Sequence, residues 1–236
     1  MTQKSKIEWT QLTWNPVTWC NKITDWCKNC YAERMARRLQ LMWQKKYVNW
    51  FEVTLHPDTL NYPSKIKTPS IIFVNSMSDL FHEKVPFEFV KQIFDVMNKE
   101  KHHIFQVVTK RAEKMLEVVS KLDIWDNIRL WVTVESNKYT ERIDFLRETK
   151  ARTKFLSLEP LLTDLPNLNL EWINWVIVWW ESWPWSREIK EEWVLDIKKQ
   201  CEKQKIPFFF KQWWGINKKK TWKLLEWKIY NEFPNF

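Results

Sequence analysis

Three of the four cysteines in this chain fall within eleven consecutive positions, as Cys20, Cys27 and Cys30 in Thr18-Trp-Cys-Asn-Lys-Ile-Thr-Asp-Trp-Cys-Lys-Asn-Cys-Tyr31. The pattern is C-x6-C-x2-C. A two-residue spacing lets two thiolates turn toward one centre, and a six-residue loop is long enough to return a third. Thiolates are soft donors that suit zinc or an iron–sulfur cluster, and four cysteines in 236 residues are too few for a disulfide scaffold. A metal centre is therefore the chemistry these residues can do. Three ligands leave one position open. For zinc, a distant His or Cys201 would close a structural site; for a [4Fe-4S] cluster, one iron would stay open to a substrate or cofactor. Spacing alone does not choose between them. Cys201 itself sits in the helical pattern Ile197-Lys-Lys-Gln-Cys201 and reads as a small core residue.

The elements that would position such a centre follow from apolar patterning. Ile71–Val74, Ile104–Val108, Leu130–Val134, Phe155–Leu158, Trp175–Val178 and Pro207–Phe210 are short, continuous and rich in β-branched or aromatic residues, as strands buried on both faces should be. Helical periods lie between them: Phe89, Val90, Ile93, Phe94 and Met97, then Met115, Leu116 and Val119, then Ile143 and Leu146. Near the N-terminus Ala32, Met35, Leu39 and Met42 share one helical face. Alternating strand and helix predicts an α/β fold, a single-domain partial (β/α) TIM-type barrel with parallel strands. Residues 1–50 then form the cysteine loop and first helix, 51–211 the repeating βα units and 212–236 a basic C-terminal tail. Each strand is followed by polar side chains: Asn75, Ser76, Ser78 and Asp79 after the first, then Thr109, Lys110 and Arg111, Glu135 and Ser136, Glu159, Glu181 and Ser182, and Lys211 and Gln212 after the others. In a barrel these ends converge on the face where active sites are built. His56 and His82 read as hydrogen-bonded structural residues, and His102 and His103 as surface.

The chain carries 38 Lys+Arg against 29 Asp+Glu, a net charge of +9, with both ends basic. Such a balance suits an anionic partner such as nucleic acid, and Lys22 and Lys28 flank the cysteine loop, yet a Lys-rich solvated surface has the same composition and no RNA- or DNA-binding motif is present. No apolar run approaches the roughly 20 residues needed to span a bilayer, and the start MTQKSKIEWT lacks a signal-peptide core, so the expectation is a cytoplasmic protein without membrane contact.

Longer motifs carry a family likeness. Ile7-Glu-Trp-Thr10, Thr13-Trp-Asn-Pro16, the three cysteines with Tyr31-Ala-Glu-Arg-Met35, Phe51-Glu-Val-Thr-Leu-His-Pro57, Phe73-Val-Asn-Ser-Met-Ser-Asp-Leu-Phe-His-Glu83, Thr109-Lys-Arg111, Leu158-Glu-Pro-Leu161 and Pro207-Phe-Phe-Phe-Lys-Gln-Trp213 resemble the three-Cys-motif phage protein family of unknown function. That family is distantly similar to radical S-adenosylmethionine (SAM) enzymes. The resemblance implies a partial TIM barrel, a [4Fe-4S] cluster held by Cys20, Cys27 and Cys30, and SAM on the open iron, giving a 5′-deoxyadenosyl radical that abstracts hydrogen from substrate. Ser78, Asp79, Lys110, Glu135, Glu159, Glu181 and Lys211 are the candidates for holding SAM or substrate. Two departures stand out: most radical SAM enzymes space the cysteines C-x3-C-x2-C, and Asn75-Ser-Met-Ser-Asp79 stands where they commonly carry Gly-Gly-Glu. The expected function is a radical-SAM-like iron–sulfur enzyme acting on nucleic acid or a nucleotide base in a phage or mobile-element setting. The alternative is a non-catalytic, zinc-stabilised protein that binds nucleic acid or a partner protein.

The composition holds one glycine and nineteen tryptophans. Ordinary glycine usage is about 7%, and turns that need positive φ have few cheap substitutes. The resemblance implies glycine at Trp19, Trp26, Trp43, Trp50, Trp131, Trp172, Trp179, Trp180, Trp183, Trp185, Trp214, Trp222 and Trp227, and tryptophan at Trp9, Trp14, Trp175, Trp193 and Trp213. A UGA codon that means glycine, read as tryptophan, produces this pattern. The gene is therefore expected to carry UGA at all thirteen positions; sequencing the codons checks it, and UGG at any of them counts against the idea.

Overall fold

Each apolar run picked out above is a strand and each helical period a helix in the computed structural model, which describes residues 3–5, 7–24, 27–28, 30–44, 47, 52–179, 189–213 and 223–234. The chain divides into two units, Met1–Leu130 with Thr149–Arg152, and Trp131–Glu148 with Thr153–Phe236.

The first unit begins with β1 (Gln3–Lys4), paired antiparallel with β2 (Leu12–Trp14). Next come β3 (Val17–Thr18), the cysteine segment, α1 (Tyr31–Leu41) and β4 (Thr54–Leu55), which pairs antiparallel with β3. Then follow β5 (Ile71–Val74), α2 (Phe87–Lys99), β6 (Ile104–Thr109), α3 (Ala112–Val119) and β7 (Ile128–Thr133), of which the part up to Leu130 belongs here. The sheet order is β1-β2-β5-β6-β7, with β2 parallel to β5 and β5 parallel to β6. β2 escapes sequence patterning because its three residues, Leu-Thr-Trp, are too few to show a period. α2 buries Phe89, Val90, Ile93, Phe94 and Met97, the set its period predicts, each contributing about 2 kcal/mol. α1 buries Ala36 and packs Ala32, Met35 and Leu39 around Trp19, Tyr47 and Met77, whereas Met42 lies past the helix end and is exposed. His103 is buried rather than at the surface: its Nδ1 accepts from Ser70 N at 3.2 Å, which leaves Nε2 to donate to the Pro63 carbonyl at 3.2 Å.

The second unit takes the rest of β7, α4 (Glu141–Glu148), β8 (Thr153–Leu158), β9 (Trp175–Val178), α5 (Glu191–Lys203), β10 (Phe208–Phe210) and the hairpin β11 (Leu224–Leu225)–β12 (Lys228–Ile229). Its order is β7-β8-β9-β10, with β8, β9 and β10 parallel. Every residue of β8, β9 and β10 is buried, which explains why these runs do not alternate in polarity. Cys201 is fully buried on α5 beside Val194 and Ile197, as a small core residue. The C-terminal stretch read as a tail folds back along β10: Phe210 N donates to Tyr230 O at 2.8 Å, and the indole of Trp175 donates to Glu232 O at 2.8 Å. The fold is α/β around a central parallel sheet of seven strands, and no closed barrel forms among the described residues. Among them, too, no helix is long and apolar enough to cross a membrane.

Backbone geometry bears on the tryptophans. Among the described residues, eight other than glycine take positive φ, and four are Trp19, Trp43, Trp172 and Trp227, all among the thirteen expected to be glycine. Trp9, Trp14, Trp175, Trp193 and Trp213, the positions expected to be tryptophan, are not among the eight. Trp43 follows α1, where Trp43 N bonds Gln40 O at 2.9 Å and Gln44 N bonds Leu39 O at 3.1 Å. That is a Schellman motif with tryptophan at the position glycine normally takes. Glu226 and Trp227, at φ 50° and 63°, form the two-residue turn between β11 and β12, where a primed turn calls for Asn-Gly. Trp131 and Trp179 lack positive φ, so backbone geometry gives no reason for glycine there; Trp26, Trp50, Trp180, Trp183, Trp185, Trp214 and Trp222 lie outside the described residues. Because Trp43, Trp172 and Trp227 are 89%, 73% and 91% exposed, removing their rings sacrifices little packing. Trp43→Gly, Trp172→Gly and Trp227→Gly are each expected to raise stability by about 1 kcal/mol, or about 3 °C in Tm. Trp175→Gly, at a buried strand position, should lose about 3–5 kcal/mol. Thermal melts in which the three surface changes destabilise would refute this reading of the turns.

Candidate functional site

Two loops of the first unit interlock through short polar side chains. Asn15, just past β2, accepts from Ser76 Oγ at 3.1 Å and from Met77 N at 3.2 Å with its Oδ1. In return Asn75, just past β5 and at φ 58°, accepts from Val17 N at 3.2 Å. Asn tolerates the left-handed region better than most residues, which suits it to end a strand this abruptly. Ser78 Oγ donates to Val17 O at 2.8 Å, and Trp19 bridges Ser78 in parallel register. These bonds fix β3 against the loop after β5 and carry the chain directly into Cys20.

Asp79 is the hub of that loop. Its 6% exposed carboxylate accepts from Thr109 Oγ1 at 2.7 and 2.9 Å, from Phe81 N at 3.1 Å and from Lys110 N at 3.2 Å. It also accepts from Arg111 Nη1 at 3.4 Å. The same nitrogen reaches Cys20 Sγ at 3.3 Å, and Arg111 Nε donates to Glu83 at 2.9 Å. Thr109 Oγ1 in turn accepts from Arg111 N at 2.8 Å. The residues following β5 and β6 are thereby joined through one carboxylate and one guanidinium to the first cysteine. Burial, then the charge of Asp79, pushes the Cys20 thiol up to about 12 against the opposing pull of Arg111. Without a metal Cys20 is a neutral thiol at pH 7, and a metal ion that binds it must displace the proton.

The other two thiols lie on the same loop. Cys27 is half-buried, with Thr24 Oγ1 at 3.5 Å from its sulfur. Cys30 is half-buried and caps the N-terminus of α1. Among the described residues no three His, Cys, Asp or Glu side chains gather as a preformed metal site. Two donors in the segments around Asp79 are buried without a hydrogen-bond partner, Arg111 Nη2 and His82 Nε2. His82 Nδ1 accepts from Lys84 N at 3.0 Å, so the proton of its neutral ring sits on Nε2. Burial, with Arg111 adding to it, lowers the His82 pKa below the ordinary value.

Of the residues singled out from sequence, Cys20, Cys27, Cys30, Ser78, Asp79 and Lys110 fall in this unit, and Ser78 and Asp79 spend their polar atoms on the loop itself. Glu135, Glu159 and Lys211 belong to the second unit. There Glu135 is fully buried, accepts from Arg142 Nη1 at 2.8 Å and keeps Oε1 without a partner. Glu159 accepts from Ser157 Oγ at 3.4 Å, and Lys211 Nζ stands 3.1 Å from the centroid of the Trp179 ring. Glu181 lies outside the described residues. The sequence marks Thr109 and Arg111 as polar residues at a strand end but not among those that hold SAM or substrate, and Glu83 only within a quoted motif.

Comparison with known proteins gives a family and a fold. The model of a family described as "Protein of unknown function (DUF5131)" matches residues 4–234, and no curated protein matches in sequence. A cysteine-to-serine mutant of spore photoproduct lyase is similar in structure at TM-score 0.53 and 12% identity, over 91% of this chain and 59% of that one. A tyrosine-to-phenylalanine mutant of the same enzyme is similar at TM-score 0.54 and 8% identity, over 89% of this chain and 78% of that one. At these identities the likeness is one of fold alone, an α/β arrangement shared with spore photoproduct lyase.

The Asp79 hub carries a stability expectation. Asp79→Ala strands the buried guanidinium of Arg111 and the Thr109 hydroxyl, and should cost about 3–5 kcal/mol. Lys91→Ala, which breaks the exposed Lys91–Asp95 pair at 2.8 Å, should cost under about 1 kcal/mol. Urea denaturation compares the two, and equal losses would deny Asp79 its central place.

Proposed function

The chain belongs to the DUF5131 family of proteins of unknown function, and from that premise we propose a radical-SAM-like iron–sulfur enzyme. In this reading Cys20, Cys27 and Cys30 would hold a [4Fe-4S] cluster and leave it open to SAM. The donor set fits. Three thiols are soft ligands with no competing carboxylate or imidazole ligand assigned, and the unpaired N–H groups of Arg111 and His82 are what the anionic sulfurs of a cluster accept. When bound, the cluster and SAM supply one-electron chemistry that ends in hydrogen abstraction from substrate.

The observation that carries the reading is the position of Cys20 just beyond β3, tied by Arg111 and Asp79 to the carboxyl ends of β5 and β6. In parallel α/β sheets ligands bind at that end of the strands. The chain's own part in the reaction is to bind and orient. Asp79 holds Arg111 and the backbone of Lys110, and the Lys110 side chain is the candidate on this unit for an anionic group of SAM or substrate. On the second unit Glu135, Glu159 and Lys211 are the candidates, with Glu181 beside them in sequence. The net charge of +9 and the name of the similar enzyme, a photoproduct lyase, support nucleic acid or a nucleotide base as substrate. A phage or mobile-element setting comes from the sequence resemblance.

Anaerobic purification followed by iron and acid-labile sulfide assays is the test. About four of each per chain is expected, falling to background in Cys27→Ala. One tightly held zinc and no sulfide would overturn the proposal.

A further inference from the structure

Arg111 does something that the cluster reading alone does not require. Its guanidinium lies where charge is expensive, with the residue 7% exposed, and it is held from several sides. Nε is spent on Glu83 at 2.9 Å, and Nη1 is shared between Asp79 at 3.4 Å and Cys20 Sγ at 3.3 Å. The backbone N–H is tied to Thr109, whose hydroxyl is tied to Asp79, so the root of the side chain is fixed as well as its head. Glu83 is 63% exposed and screened by water, so the buried charge balance is one guanidinium against Asp79. Nη2 is buried with no acceptor. An unmet guanidinium nitrogen is costly when buried, and an added acceptor would relieve that cost.

Resting on the cluster reading above, we propose that Arg111 is the positioning residue of the cysteine site: it places the Cys20 sulfur and, by donating N–H to sulfur, raises the reduction potential of the bound cluster. A reduced cluster carries one more negative charge than an oxidised one. A fixed cation that bonds a ligating sulfur therefore stabilises the reduced form more. The planar fork matters beyond its charge, because Nε and Nη1 must meet Glu83, Asp79 and sulfur at once. Lysine offers a point charge without the second arm.

The experiment uses the full chain, reconstituted anaerobically with iron and sulfide, as wild type, Arg111→Lys, Arg111→Gln, and Arg111→Gln combined with Asp79→Asn. The double variant removes both buried charges together, so that a fold lost to an unpaired Asp79 is not mistaken for a site effect. Circular dichroism reports the fold, metal analysis the occupancy, and a dye-mediated titration followed by electron paramagnetic resonance the midpoint potential. In folded chains we expect Arg111→Gln and the double variant either to lose bound iron or to keep it with the midpoint moved negative. The expected shift corresponds to a tenfold change in the reduced-to-oxidised ratio, about 59 mV for one electron. Arg111→Lys should fall between them and wild type. Unchanged iron content with an unchanged midpoint overturns the proposal, even if affinity for SAM changes. Failure of the underlying reading is seen separately, as wild-type protein that takes up no iron and sulfide.

Discussion

The carboxylate of Asp79 is where the first unit's geometry is decided. It accepts from two backbone N–H groups, a hydroxyl and a guanidinium, and those donors come from the segments that follow β5 and β6. Parallel strands end in loops that would otherwise be independent, each paying its own conformational entropy. One buried anion makes them a single structure. The order reaches Cys20 because Arg111, which neutralises the anion, also bonds the thiol. A buried ion pair of this kind is a poor source of net stability and a good source of specificity, since its partners tolerate no other arrangement.

The architecture was legible in sequence where the signal was long. All six apolar runs are strands, and the α2 face was predicted residue by residue, because five buried positions leave a period that nothing else produces. The short elements were not legible. β1, β3, β4, β11 and β12 have two residues each, and β2 has three. They form because neighbours supply hydrogen bonds, not because of local preference. His103 failed for a related reason: a histidine beside a strand looks like surface until the carbonyl of Pro63, forty residues away, is seen to accept a hydrogen bond from its ring.

The candidate site was half legible. Cysteine spacing singled out the loop, but the side chains at strand ends were treated as equals, each facing a possible ligand. Their roles differ. Ser78 and Asp79 are internal struts, Lys110 contributes its backbone to Asp79, and the residue that touches a thiol is Arg111, one position further on. A polar residue after a strand marks where the strand ends; whether it faces outward or braces its neighbours depends on contacts across more than thirty residues, as Asp79 and Arg111 have.

Trp19 joins the two oddities of this chain, its cysteines and its missing glycines. It sits at φ 76° immediately before Cys20, and its indole is buried edge-on to Tyr47 over Met77. With glycine there the backbone would turn without strain, but the space beneath the loop would lose its filler and the free chain would gain freedom to surrender on folding. In such a protein the cysteine loop would owe its order less to side-chain packing and more to whatever its sulfurs bind. Binding at those sulfurs and folding of the N-terminal segment would then be one event rather than two.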